Sequence, residues 1–142
     1  MAALTADKMT PPKGRPRQQS YPVAAATIIY AGAMVVINAN GYAEPATDAA
    51  NKSDVVGIAP AKVDNSGGAN GDVKVLVEYG TAFLITVGAS ITQADVGRTA
   101  VVSDDQTAID AGAGAQDVYI GPVREYVAGS PNKAWIHVVG GR

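Results

Sequence analysis

The sequence predicts an all-β protein, and three observations carry that prediction. Short runs rich in Val, Ile and Tyr recur about every 8–12 residues from position 21 onward, with turn residues between them. The 142 residues include 16 Gly and 8 Pro, which supply many turns. No long segment has the apolar spacing and caps of an α-helix. We therefore expect a mostly antiparallel sandwich, jelly roll or small barrel of about eight or nine short strands.

The first twenty residues differ in composition from the rest, and we expect them to form an extended arm. Three prolines, Pro11, Pro12 and Pro16, disfavour helix there. The arm has four cations and one acid, whereas residues 21–142 carry seven Lys or Arg against twelve Asp or Glu. We expect residues 1–20 to be either a disordered tail or an arm laid on an acidic partner, and residues 21–142 to be one β-domain. The residues expected to contact such a partner are Lys8, Lys13, Arg15, Arg17 and Tyr21.

The first half of the domain should contain a hairpin and an irregular strand. Residues 33–39 and the segment from Tyr42 flank Asn40-Gly41, a dipeptide typical of tight hairpin turns. The run 54–63 contains Gly57 and Pro60, so we expect an edge strand or a bulged one.

The second half shows clearer strand periodicity. Val73, Val75 and Val77 alternate with polar positions, which indicates a strand with one wet face. Gly80 then interrupts the run, and the next residues predict either the bent end of one long strand or a second strand. Further strands are expected at 98–103, 107–110, 117–127 and 133–139.

The stretch 91–97 predicts a capped turn. Thr92 is placed as the N-cap and Asp95 as the residue whose carboxylate reaches back to the cap N–H. Ile91 and Val96 are spaced for a hydrophobic staple, and Gly97 supplies a left-handed stop. Asp95 therefore has a structural task.

Asp104 and Asp105 follow the next strand and are expected to form a hairpin turn, because Asp side chains bond backbone N–H groups two residues on. A catalytic pair of carboxylates needs burial to separate its pKa values, and a polar, solvent-exposed turn does not provide it. We expect no acid–base chemistry at these two residues.

Other patterns do not favour a catalytic, metal or cofactor site. The chain has no Cys and one His, His137, which lies near Trp135 in a strand pattern typical of packing. The loop 64–72 carries oxygen ligands at alternate positions, but Val75 stands where an EF-hand has its bidentate Glu. A Ca²⁺ site there is less favoured than a flexible loop. No long apolar run predicts a membrane segment, and an acidic domain disfavours nucleic acid as a partner.

Two stretches resemble the cement, or head-decoration, proteins of tailed bacteriophages. One is ITQADVGR at 91–98 followed by DDQT at 104–107; the other is G-x-x-V-x-x-x-x-x-G-Y-A-x-P-A-T-D at 32–48, which runs on into VVGIA at 55–59. The likeness covers roughly residues 27–139 and consists of turn and strand patterns.

The resemblance implies a non-enzymatic virion protein, made in the host cytoplasm, that binds the outside of a capsid. Its implied partners are the major capsid protein and further copies of itself, as a dimer or trimer. We expect it to clamp neighbouring capsid subunits, and we expect a chain lacking residues 1–20 to fold but to bind capsids less well. The alternative is a virion-surface carbohydrate-binding β-sandwich, and an enzyme is a third, less favoured reading.

Overall fold

The computed structural model describes residues 3–140; the first two residues of the predicted arm and the last two of the domain lie outside this range. The described residues form twelve β-strands and one 3₁₀ turn, Gln93–Asp95. The strands are β1 Arg17–Pro22, β2 Thr27–Ile29, β3 Met34–Ile37, β4 Ala43–Pro45, β5 Gly57–Ile58, β6 Val63–Asn65, β7 Lys74–Tyr79, β8 Ala82–Val87, β9 Thr99–Asp104, β10 Thr107–Asp110, β11 Tyr119–Val127 and β12 Lys133–His137.

The all-β prediction is confirmed, with more and shorter strands than expected. For example, the run expected as one strand at 54–63 contributes the two-residue β5, and β6 begins only at its end. Within residues 3–140, no helix has the length and apolar character needed to cross a bilayer.

The strands form a small closed barrel and a separate five-stranded sheet. The barrel order is β10-β8-β12-β11-β9, and β10 closes it by pairing with β9. Its one parallel contact joins β10 to the end of β8. The sheet order is β1-β7-β5-β3-β4, with every pair antiparallel, and β2 pairs with β6 as a two-stranded ribbon.

The centre of the five-stranded sheet is buried on both faces. Along β3, Met34 and Val36 join the apolar cluster that fills the barrel, whereas Val35 joins a second cluster with Val75 and Val77 of β7. This division follows from the alternation of side chains along a strand. The sheet therefore separates two cores, and the barrel core contains the fully buried Phe83.

The expectation of an edge or bulged strand at 54–63 is wrong. β5 lies in the middle of the sheet, between β3 and β7. A Cβ at Gly57 would lie 2.8 Å from both the carbonyl oxygen of Glu78 and the Cβ of Val77, so glycine permits the close approach of β5 to β7. Pro60 lies beyond the strand and does not interrupt its pairing.

The predicted hairpin at Asn40-Gly41 is present, but its loop is longer than two residues. β3 and β4 pair as far as Ile37 and Ala43, and five residues connect them. The Asn38 side chain closes the loop by accepting from the backbone N–H groups of Asn40 and Tyr42 at 3.0 and 3.1 Å. Gly41 adopts a left-handed φ of 90°.

Candidate functional site

The described part of the arm is extended, as expected, but in this structure it lies along its own domain. Lys13 donates its backbone N–H to the carbonyl of Ala82 at 2.7 Å, and Leu84 donates to the carbonyl of Pro11 at 3.0 Å. Pro12, between these bonds, pairs with β8 at a position where no N–H is required. The arm therefore pairs with β8 as a short strand, and Pro12 lies at a position where this pairing needs no N–H donor.

The boundary expected at residue 20 falls inside a strand. β1 spans Arg17–Pro22 and pairs with β7 along its whole length. Deleting residues 1–20 would remove most of β1 together with the segment on β8, so this deletion tests folding as much as binding.

The four cations of the arm divide into two lysines that contact the domain and two arginines that do not. Lys8 is half-buried, and its Nζ donates to Thr86 Oγ1 at 3.0 Å; burial lowers its pKa, and Lys133 lowers it further. Lys13 pairs with Glu125 at 3.0 Å, and its Nζ lies 5.0 Å from the centroid of the Trp135 ring. Both lysines are therefore engaged by the domain itself.

Arg15 and Arg17 are exposed instead. The two ion pairs found among residues 3–140 are Lys13–Glu125 and Lys52–Glu44, and neither arginine takes part. Arg17 is the first residue of β1, at one edge of the five-stranded sheet, and Arg15 lies two residues before it. These are the arm cations that the fold leaves directed to solvent.

Tyr21 is a packing residue in this structure. It is half-buried and contacts the second apolar cluster, and burial raises its pKa. Its neighbours in β1, Gln18, Gln19 and Ser20, are exposed. A partner at this edge would meet those polar residues before it met Tyr21.

The turn at 91–97 has the local structure that the sequence indicates. Thr92 Oγ1 accepts from Ala94 N–H at 3.3 Å, and Asp95 Oδ2 accepts from the backbone N–H of Thr92 at 2.8 Å. Together these bonds form a capping box. Gly97 has a φ of 93°. Val96 is 38% exposed, so it is a weak partner for a staple to the buried Ile91.

The β9–β10 turn contains two carboxylates, one partly exposed and one buried. Asp104 is partly exposed, and its Oδ1 accepts from the backbone N–H of Gln106 at 3.0 Å, as expected of a turn residue. The expectation that Asp105 is solvent-exposed is wrong, because it is only 1% exposed. The arm covers it.

Asp105 joins three parts of the chain. Its Oδ1 accepts from the backbone N–H of Leu4 at 2.8 Å, and its carbonyl oxygen accepts from Met34 N–H at 2.8 Å. Burial raises the pKa of this carboxyl, while the Leu4 N–H opposes that shift. Asp105 therefore holds the arm, the barrel and β3 together, a role that its neighbours in sequence do not indicate.

The loop 64–72 uses its oxygen atoms on its own backbone. Asp64 Oδ1 accepts from Ser66 N–H at 2.9 Å, and Asp72 Oδ2 accepts from Ala69 N–H at 2.9 Å. The buried Asn65 donates to the carbonyl groups of Ala24 and Ala69. Within residues 3–140 no group of three or more His, Asp or Glu side chains is arranged to hold a metal ion.

The described residues also form two clefts that are large enough to hold a small ligand. The larger, about 440 Å³, lies between the arm and the domain and has mainly apolar walls. The smaller, about 280 Å³, is lined in part by Asp54, Tyr119 and Val139. His137 is half-buried on β12 and lines neither of them.

Comparison with known protein families and with curated proteins gives no match for this chain.

Proposed function

We propose that this chain is a structural virion protein that binds the outer surface of a phage capsid and links neighbouring major capsid subunits. Two lines of support are independent of each other. One is the resemblance over residues 27–139, whose motifs here form turns and strand ends. The other is the charge distribution at the β1 edge.

The observation that carries the proposal is the exposed pair Arg15 and Arg17 on a domain whose other residues are net acidic. Opposite charges across an interface mainly set orientation and association rate, and each exposed pair contributes roughly 0.2–1 kcal/mol. Many copies on one capsid, each touching more than one subunit, convert such modest contacts into lasting occupancy. In this mechanism the arm stays on its domain and presents the two arginines.

The experiment measures co-sedimentation with capsids assembled from the major capsid protein of the same phage. The variant Arg15→Glu/Arg17→Glu should lower the affinity at least about tenfold, since opposite charges become like charges. Arg98→Glu/Arg124→Glu is the matched control, because it makes the same change of net charge at two exposed arginines elsewhere. Affinity of the unchanged chain should also fall as salt is added.

One outcome would overturn the capsid function, and a different outcome would overturn only the arginine site. If the unchanged chain does not bind these capsids, and does not raise the temperature at which they break open, the capsid function is wrong. If it binds but both arginine pairs have equal effects, the function stands and the site at β1 is wrong.

A carbohydrate-binding function has less support. Lectin sites commonly offer an open aromatic face, and Lys13 already stacks on Trp135. The larger cleft has no aromatic residue in its lining. Binding on a glycan array by a chain with no capsid affinity would reverse this preference.

A further inference from the structure

We propose that the side chains of Lys52 and Asn38 join in an intramolecular isopeptide bond, with Glu44 as the proton carrier. The bond would connect the residue that follows β3 to the segment between β4 and β5, and its formation would release ammonia. This inference does not depend on the capsid proposal, because the reaction uses only residues of one folded chain.

The Glu44 carboxylate lies between a primary amine and a side-chain amide. Lys52 Nζ donates to Glu44 Oε1, and Asn38 Nδ2 donates to Glu44 Oε2 at 3.3 Å. The two oxygens of one carboxylate therefore hold the amine and the amide side by side. A nucleophile, a proton carrier and a leaving group belong to one hydrogen-bonded chain, as covalent chemistry requires.

The backbone holds Lys52 beside the end of β3. Ser53, the next residue, donates its N–H to the carbonyl of Ile37 at 2.9 Å, and its Oγ accepts from the Ile37 N–H at 2.8 Å. Asn38 follows Ile37 directly, so these two bonds fix both reacting residues at a distance of one residue. Glu44 is fixed independently by the pairing of β4 with β3.

The amide carbonyl of the Asn38 side chain is placed in an oxyanion hole. Its Oδ1 accepts from the backbone N–H groups of Asn40 and Tyr42 at 3.0 and 3.1 Å. Two donors facing one atom identify it as the oxygen, so the NH₂ group is the one that faces Glu44. When an amine adds to the amide carbon, negative charge develops on this oxygen, and fixed N–H donors stabilise that charge.

The reaction exchanges one amide for another. Glu44 accepts a proton from the Lys52 ammonium, and the freed electron pair on Nζ forms a bond to Asn38 Cγ. The Cγ–Nδ2 bond then breaks. Glu44 carries two protons in turn from Nζ to Nδ2, so the nitrogen of the old amide leaves as ammonium and Glu44 ends as the carboxylate it was at the start. In the product, Oδ1 can keep both backbone bonds and the remaining N–H on Nζ can donate to Glu44.

The surroundings favour the reaction over a lasting ion pair. The side chains of Lys52 and Glu44 are 20% and 21% exposed, so little water solvates their charges. Proton transfer from the amine to the carboxylate turns two charged groups into two neutral ones, which low exposure favours. The other ion pair within residues 3–140, Lys13–Glu125, is more than half exposed and provides a natural control.

The first test is the mass of the unchanged chain, measured intact and after digestion. The intact mass should be lower than that of the sequence by one ammonia. A protease that cleaves before Asp48 should leave the two flanking fragments joined through Asn38 and Lys52. The full sequence mass, a loss of water instead of ammonia, or a loss of ammonia without joined fragments would each overturn the proposal.

The second test follows the rate of cross-linking from fresh synthesis in a cell-free reaction. Glu44→Gln cannot carry protons, so cross-linking should slow at least about a hundredfold. Lys52→Arg keeps the positive charge but should give no cross-link. Lys13→Arg, the same substitution in the exposed ion pair, should react like the unchanged chain. A cross-link in Lys52→Arg, or equal rates for Glu44→Gln and the unchanged chain, would refute the site. The first test needs no substitution, so it stands even if these variants fold poorly.

Discussion

The position of the arm on β8 can be tested by an engineered disulfide between Gly14 and Thr81. The backbone N–H of Gly14 donates to Thr81 Oγ1 at 3.0 Å. A Cβ built on Gly14 would lie 3.9 Å from the Cβ of Thr81, close to the separation of about 3.8 Å typical of disulfides. The chain has no cysteine of its own to compete.

The expected stabilisation follows from the length of the closed loop. The bridge encloses roughly 70 residues, which corresponds to about 4 kcal/mol of lost entropy in the unfolded chain. Loss of the Gly14–Thr81 hydrogen bond subtracts about 1 kcal/mol. A net gain of about 3 kcal/mol in the free energy of unfolding should raise Tm by roughly 10 °C in a chain of this length.

The assay compares thermal unfolding of oxidised and reduced Gly14→Cys/Thr81→Cys, so the reduced protein is its own control. An oxidised protein that forms no internal disulfide, or one whose Tm equals that of the reduced form, would refute the placement of the arm. The oxidised protein should also retain full capsid occupancy, because the proposed contact does not require the arm to leave its domain. Loss of binding only after oxidation would show that the arm has to be released.

Three further substitutions test the fold. Phe83→Ala should lower the free energy of unfolding in urea by about 3–5 kcal/mol, because Phe83 is fully buried in the barrel; a loss below about 1 kcal/mol would contradict that packing. Burial raises the pKa of Asp105, so its contribution to stability is present below the ordinary value of 3.8 and is lost as pH rises through the folded-state pKa. Asp105→Asn should therefore gain stability relative to the unchanged chain as pH rises, and urea unfolding from pH 3 to pH 8 that shows a constant or opposite difference would exclude this account. Gly121→Ala should prevent folding, because its φ is 152° and a Cβ would lie 1.8 Å from the carbonyl oxygen of His137; a circular dichroism spectrum and a Tm like those of the unchanged chain would contradict it.

Features whose bonds are local in sequence were predictable. The cap at Thr92 needs only Asp95 three residues later, and the Asn40-Gly41 hairpin needs only its two flanking strands. The alternation of Val75 and Val77 likewise reports a single buried face directly. In each case the residue types and their spacing determine the local structure, because the interacting residues are close in sequence.

Features that depend on distant partners were not predictable from local patterns. Asp105 is buried because Leu4, 101 residues away in sequence, brings the arm over it. β5 is central because Gly57 allows β7 to approach closely. Judged only by its neighbours in sequence, the same glycine predicts an interrupted or edge strand. Consecutive apolar residues there, Val55 and Val56, belong to different cores, a pattern that indicates burial on both faces.

The candidate site was predictable only in part. The sequence identified four cations in the arm but not which of them remain directed to solvent. That division depends on Glu125, Trp135 and Thr86, which belong to remote strands.

The contacts of the arm also have a consequence for synthesis of the chain. Residues 3–22 leave the ribosome before their partners, which lie on β7, on β8 and in the β9–β10 turn. Such distant pairings make folding slow, since the intervening chain must be ordered first. Until then the segment has to stay unfolded without aggregating, a state to which its prolines and cations are well suited. Its composition therefore serves the nascent chain before it serves the folded protein.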